Sequence, residues 1–161
     1  MPNGYTRTQI ALHWVIFLLI AAQFIFNEAI SEAWRSVLRT GEYEQGPLVA
    51  QHVVTGLLIL ALVIWRLVIK LRRGAPPLPD DEPAIMKLAA RGTHILLYIL
   101  MVLVPVSGAV AWFAGVENAA EGHEVMKSIL LVIVLIHILG AIVQRVFFKS
   151  DVMTRMMRPN P

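Results

Sequence analysis

Apolar residues fall into four long blocks, at about 8–27, 48–71, 87–116 and 123–148. Shorter segments between them collect charge, proline and glycine. An α-helix needs roughly 20 apolar residues to cross the hydrocarbon core of a bilayer, and each block is about that long or longer. The blocks occupy more than half of the chain. The pattern therefore predicts an all-α integral membrane protein, a bundle of four transmembrane helices forming one domain over 1–161.

The connections refine this picture. Residues 28–47 (EAISEAWRSVLRTGEYEQGP) form a polar loop whose first part can be a short interfacial helix, and Gly46-Pro47 launches the second block. Residues 74–83 (GAPPLPDDEP) are too rich in proline for helix and read as a stiff extended linker. The third block contains Pro105 and Gly108, which predicts a kink near Pro105. The segment ENAAEG forms a short loop before the fourth block, and a basic tail follows it. A cleaved signal peptide is the alternative reading of the first block, because Arg7 precedes an apolar run. The length of that block, its His13, Trp14 and Gln23, and the lack of a small-x-small cleavage site argue against it.

Charge sets the expected orientation. With four crossings, both termini and the 66–91 region share one side, which carries 11 of the 14 Lys and Arg residues. The opposite side has Arg35, Arg39 and Lys127 beside seven glutamates. The positive-inside rule makes the basic side cytoplasmic. The net charge of +3 and pI of about 9.6 have the same origin, so nucleic acid is not an expected partner.

Composition narrows the chemistry further. Hydrophobic residues make up 57% and charged residues 16%, with a mean hydropathy of +0.67, which sets the chain apart from soluble domains. The absence of cysteine excludes disulfides, thiolate zinc sites, iron–sulfur clusters and thioether-linked haem. Metal chemistry has to rest on other donors, and the five histidines become the informative set.

Any one membrane histidine can be a hydrogen-bonding packing residue, but ionisable groups in hydrocarbon are costly and are candidate functional sites. His123 and His137 are 14 residues apart on one helix. That spacing is close to four turns, so both rings leave the same face about 21 Å apart in depth. Such a pair suits two stacked haems. His52 lies one turn into the second helix from the outside and matches His123. His13 lies about one turn into the first helix from the cytoplasm and can match His137, with His94 on the third helix as its competitor. Four imidazoles give two six-coordinate irons, suited to electron transfer rather than oxygen binding. Zinc would need three or four convergent ligands, and a di-iron bundle needs carboxylates inside the helices. A proton or metal transporter is a further alternative. Gly56 and Gly140 can admit a porphyrin plane or simply allow close helix packing. Arg66, 14 residues after His52, can pair with haem propionates on the cytoplasmic side or snorkel to the interface. Trp14, Trp34, Trp65 and Trp112 fall near helix ends, as an aromatic belt would place them.

With these residues in view, the chain resembles the bacterial cytochrome b561 family of dihaem, four-helix membrane proteins. The resemblance rests on residues 10–14 (IALHW), 51–56 (QHVVTG), 65–70 with the proline-rich linker after them, 91–98 (RGTHILLY), the 123–137 histidine pair and 149–157 (KSDVMTRMM). It implies two haem b groups, with iron held by His13 and His137 at the inner site and by His52 and His123 at the outer. It also implies a bacterial inner-membrane location and electron exchange with quinone, ubiquinone in particular. One type in the family is similar to a superoxide oxidase that reduces ubiquinone. Others are haem-bearing anchors that relay electrons for a dehydrogenase or hydrogenase partner. The acidic outer loops depart from the basic outer surface expected of a superoxide oxidase.

Overall fold

The computed structural model describes residues 4–77 and 83–159. Part of the linker read at 74–83 and the last two residues of the tail lie outside the described residues. The described chain is helical, without strands: α1 (Arg7–Ile25), α2 (Asn27–Thr40), α3 (Pro47–Arg73), α4 (Ala84–Ala114), α5 (Glu117–Val146) and the short α6 (Val152–Arg155). Four of these, α1, α3, α4 and α5, are long and apolar enough to cross a membrane.

Local chemistry sets the boundaries. Thr6 caps α1 through a reciprocal box with Gln9, its hydroxyl accepting from the Gln9 amide while the Gln9 side chain accepts from the Thr6 amide. Pro47 opens α3 at its first turn, where the missing amide hydrogen costs nothing. Gly115 ends α4 in the left-handed region at φ 66°. The link to α5 is then only Gly115 and Val116, so the segment ENAAEG is helix rather than loop. Its Glu117 lies in the first turn, where a carboxylate is favoured by the helix dipole. Likewise, the first part of the 28–47 segment is a full amphipathic helix, α2. Pro105 lies inside a continuous α4.

Backbone neighbours are α1 with α3, α3 with α4, and α4 with α5, while α2 rests on α3 and α6 on α5. One buried cluster joins α1 to α3 (Leu12, Ile16, Ile20, Ile59, Val63) and another joins α4 to α5 (Leu97, Leu100, Leu130). Leu18, Val54, Ile95 and Leu135 point outward at more than half exposure, as helices solvated by lipid tails require. In this arrangement the α1–α3 and α4–α5 pairs are joined through the contact of α3 with α4.

Candidate functional site

The four spanning helices define two ends. The termini end holds the start of α1 and the end of α5, and the α2 end holds α2 and the α4–α5 turn. One histidine pair sits toward each. At the α2 end the ring centroids of His52 (α3) and His123 (α5) are 6.4 Å apart at 68°. At the termini end His13 (α1) and His137 (α5) are 6.2 Å apart, also at 68°. In both cases the two histidines come from different helices, outside the main packed pairs α1–α3, α3–α4 and α4–α5.

These separations can be tested against a metal bridge. A metal–imidazole bond is about 2.0 Å and the ring nitrogen lies about 1.1 Å from the centroid, so two rings on opposite sides of one metal have centroids about 6 Å apart. Both pairs meet that requirement. His94, the competitor for His137, is 5.1 Å from it, too close for a metal between the rings. No cluster of three or more His, Cys, Asp or Glu side chains placed to hold a metal occurs among the described residues.

At the α2 end, α4 orients His123. His123 Nδ1 is 2.8 Å from the Val104 carbonyl, which can only accept, so Nδ1 carries the proton and the Nε2 lone pair is free for a metal. Gly108 makes this approach possible: a Cβ there would lie 2.9 Å from His123 Nδ1. Sequence reasoning tied Gly108 only to a kink. Gly56 lines the same cavity as this pair, and a Cβ there would lie 3.3 Å from Gln23 Nε2. That amide donates to the His52 carbonyl at 2.8 Å, tying α1 to the turn of α3 that carries His52. His52 Nδ1 is buried without a hydrogen-bond partner among the described residues, which leaves the ring available to a bound group.

A cavity of about 440 Å³ surrounds the His52 and His123 pair. Ile30, Trp34 and Leu38, one turn apart on α2, help to line it. Its charged lining mixes Arg35 and Lys127 with Glu117, Glu121 and Glu124, and Lys127 pairs with Glu124 at 2.8 Å. Arg39 faces a separate groove with Glu32 and Glu44.

At the termini end, Arg66 Nη1 donates to the carbonyl of Gln9, one turn before His13. Arg66 therefore lies against the protein beside the His13 turn rather than simply extending to the interface. Lys70 sits 4.4 Å over the Tyr98 ring, a cation–π contact. The tail closes over this end. Trp14 Nε1 donates to the Met156 carbonyl at 3.0 Å, and Arg155 donates to the Pro77 carbonyl at 2.9 Å. Burial pushes the Tyr5 phenol above its ordinary pKa, against the opposing pull of Arg66. Gly140 has open space around it.

Comparison with known proteins decides the class. Residues 4–159 match the family described as Prokaryotic cytochrome b561. The chain belongs to the prokaryotic cytochrome b561 family. It is 35% identical to cytochrome b562 of Cereibacter sphaeroides over 97% of this chain and 96% of the relative. It is 26% identical to the probable superoxide oxidase CybB of Yersinia pestis over 98% of this chain and 97% of that protein. Against cytochrome b561 homolog 1 of Escherichia coli the identity is 30%, over 66% of this chain and 57% of the other. A b561-family cytochrome is a bacterial membrane protein of electron transport, and membership implies haem b. The two bridging pairs fit that cofactor in donor type and in spacing.

Proposed function

We propose that this b561-family chain carries electrons between the two faces of the bacterial inner membrane through two haem b groups, exchanging them with a quinone. The observation that supports it most is the pair of matched centroid separations, 6.4 and 6.2 Å, each between histidines of two different helices. In this reading His52 and His123 hold one haem iron and His13 and His137 the other. Haem with two imidazole ligands supplies one-electron transfer and leaves no open iron position. The residues do the rest: Val104 fixes the His123 tautomer, Gln23 anchors the His52 turn, and Arg66 offers a cation to propionates at the termini end. The charge asymmetry makes that end cytoplasmic. A pyridine haemochrome assay with protein quantitation tests the reading. A ratio near two haems per chain is expected, all of it extractable by acid acetone. A ratio near one would remove one pair, and no haem would overturn the proposal.

A second reading concerns the electron donor at the α2 end. The relation to the probable superoxide oxidase and the position of Arg35 and Lys127 in the cavity favour superoxide. Three carboxylates share that lining, however, and a net negative field slows capture of an anion. If superoxide is a donor here, its reaction should quicken as salt rises, because screening weakens the repulsion. Stopped-flow haem reduction at low and high ionic strength measures this. No reduction at either salt would leave quinol or a redox protein as donor, as in a haem-bearing anchor subunit.

A further inference from the structure

His94 is the one histidine without a place in either bridging pair, yet its ring lies closer to His137 than does that of His13: 5.1 Å against 6.2 Å between centroids. Its own tautomer is constrained. His94 Nδ1 stands 2.7 Å from the Ala90 carbonyl one turn earlier on α4. A carbonyl only accepts, so Nδ1 carries the proton and a neutral ring keeps its lone pair on Nε2. His94 is therefore an acceptor toward its other neighbour.

A histidine that gives one nitrogen to a metal commonly donates the hydrogen on the other to an acceptor, which fixes the ring and raises its basicity. At the α2 end, α4 meets this need for His123 through the Val104 carbonyl. The same helix presents His94 to His137. The separation is compatible with such a contact: an N–H···N bond of about 2.9 Å between two rings puts their centroids about 5 Å apart. The observed 5.1 Å fits one hydrogen bond, as 6.2 Å fits one metal.

We propose that His94 is a positioning residue for His137, accepting its Nδ1–H so that the chain Ala90 carbonyl, His94, His137 orients the inner ligand and tunes the iron it holds. The inference rests on the reading of His137 as a haem ligand. The two α5 ligands then differ in their acceptors, a carbonyl at one and an imidazole at the other, and this gives the two haems different electronic surroundings.

The test uses the full-length membrane protein purified with its haem. His94→Leu removes the acceptor, and His94→Gln supplies a replacement oxygen. Optical redox titration and low-temperature EPR are read beside the haem-to-protein ratio. His94→Leu is expected to keep two haems. It should move the midpoint of one of them upward, because a less basic His137 favours ferric iron less, and should shift that haem's low-spin EPR signal. The other haem should stay in place, and His94→Gln should recover most of the shift. Two haems with unchanged midpoints and signals in His94→Leu would overturn the proposal. Loss of one haem in His94→Leu, with both retained in His13→Leu, would also overturn it by making His94 the ligand. A wild-type protein lacking the His137-dependent haem would instead refute the underlying dihaem reading, and this inference with it.

Discussion

Gly108 shows how much of a cofactor site can depend on an absent side chain. The ring of His123 occupies the space a β-carbon would take, within 2.9 Å. Gly108→Ala should therefore push His123 off the Val104 carbonyl, at the cost of overpacking a tight site, typically about 1–3 kcal/mol. The expected outcome is loss or weakened retention of the α2-end haem, with the haem ratio falling from two toward one. Gly140→Ala, with nothing within 4 Å of its added carbon, should keep both and serves as the matched control. Truncating the ligands separates the sites: His52→Ala or His123→Ala should remove one haem, and His13→Ala or His137→Ala the other. Spectra of the four variants check that they fall into two pairs, and any other grouping would refute the pairing. Arg66→Met should keep both haems but lower the midpoint of the termini-end haem, since a nearby cation favours the reduced, more negative form. Redox titration of the variant measures the direction.

At the scale of elements, α1 and α3 act as one unit, cross-tied beside each histidine pair. Gln23 donates to the His52 carbonyl at one end, and Arg66 donates to the Gln9 carbonyl near His13 at the other. Helix packing in lipid lacks a hydrophobic driving force, so polar ties of this kind help to set register. Gln23→Leu should loosen the His52 turn by about 1 kcal/mol, the net worth of one ordinary hydrogen bond. Heating in detergent should then release the α2-end haem at lower temperature while the other is unaffected. The sequence made α1, α3, α4 and α5 legible, because length and apolar content alone specify a spanning helix. It left α2 as a segment only partly helical. Its apolar residues Ile30, Trp34 and Leu38 recur every fourth position, a pattern easily overlooked among the charges around them. The early start of α5 was hidden for a related reason. Glu117, Asn118 and Glu121 read as loop by composition, although a two-residue link ending at Val116 places the acidic Glu117 in the favourable first turn.

For the whole molecule, the decisive feature is that α5 packs most closely on α4 while its two histidines face partners on α1 and α3. A bundle that packed all its helices directly would have no room for a porphyrin. Here a cavity of about 440 Å³ carries His52 and His123 in its walls, and His13 and His137 face each other toward the other end. The uneven distribution of Lys and Arg across the ends gives a further expectation: both termini face the cytoplasm. Carboxyl-terminal fusions should be active with a cytoplasmic reporter and silent with a periplasmic one, and the reverse result would invert the orientation of both sites.

The sequence by itself determined the spanning helices, because hydrocarbon admits only long apolar segments with satisfied backbones. It also determined that His123 and His137 share a face of α5, because helical periodicity places residues 14 apart in line. Pairing across helices was a different matter. His13 and His94 lie on different helices at similar depth, and no spacing along the chain ranks them as partners for His137. Tertiary packing is what sets their rings at different separations from His137, 6.2 Å for His13 and 5.1 Å for His94. The roles of Val104, Gly108 and Gln23 were equally out of reach. Each acts through a backbone group or a missing atom that meets a histidine on another helix, and such contacts leave no periodic mark in the sequence.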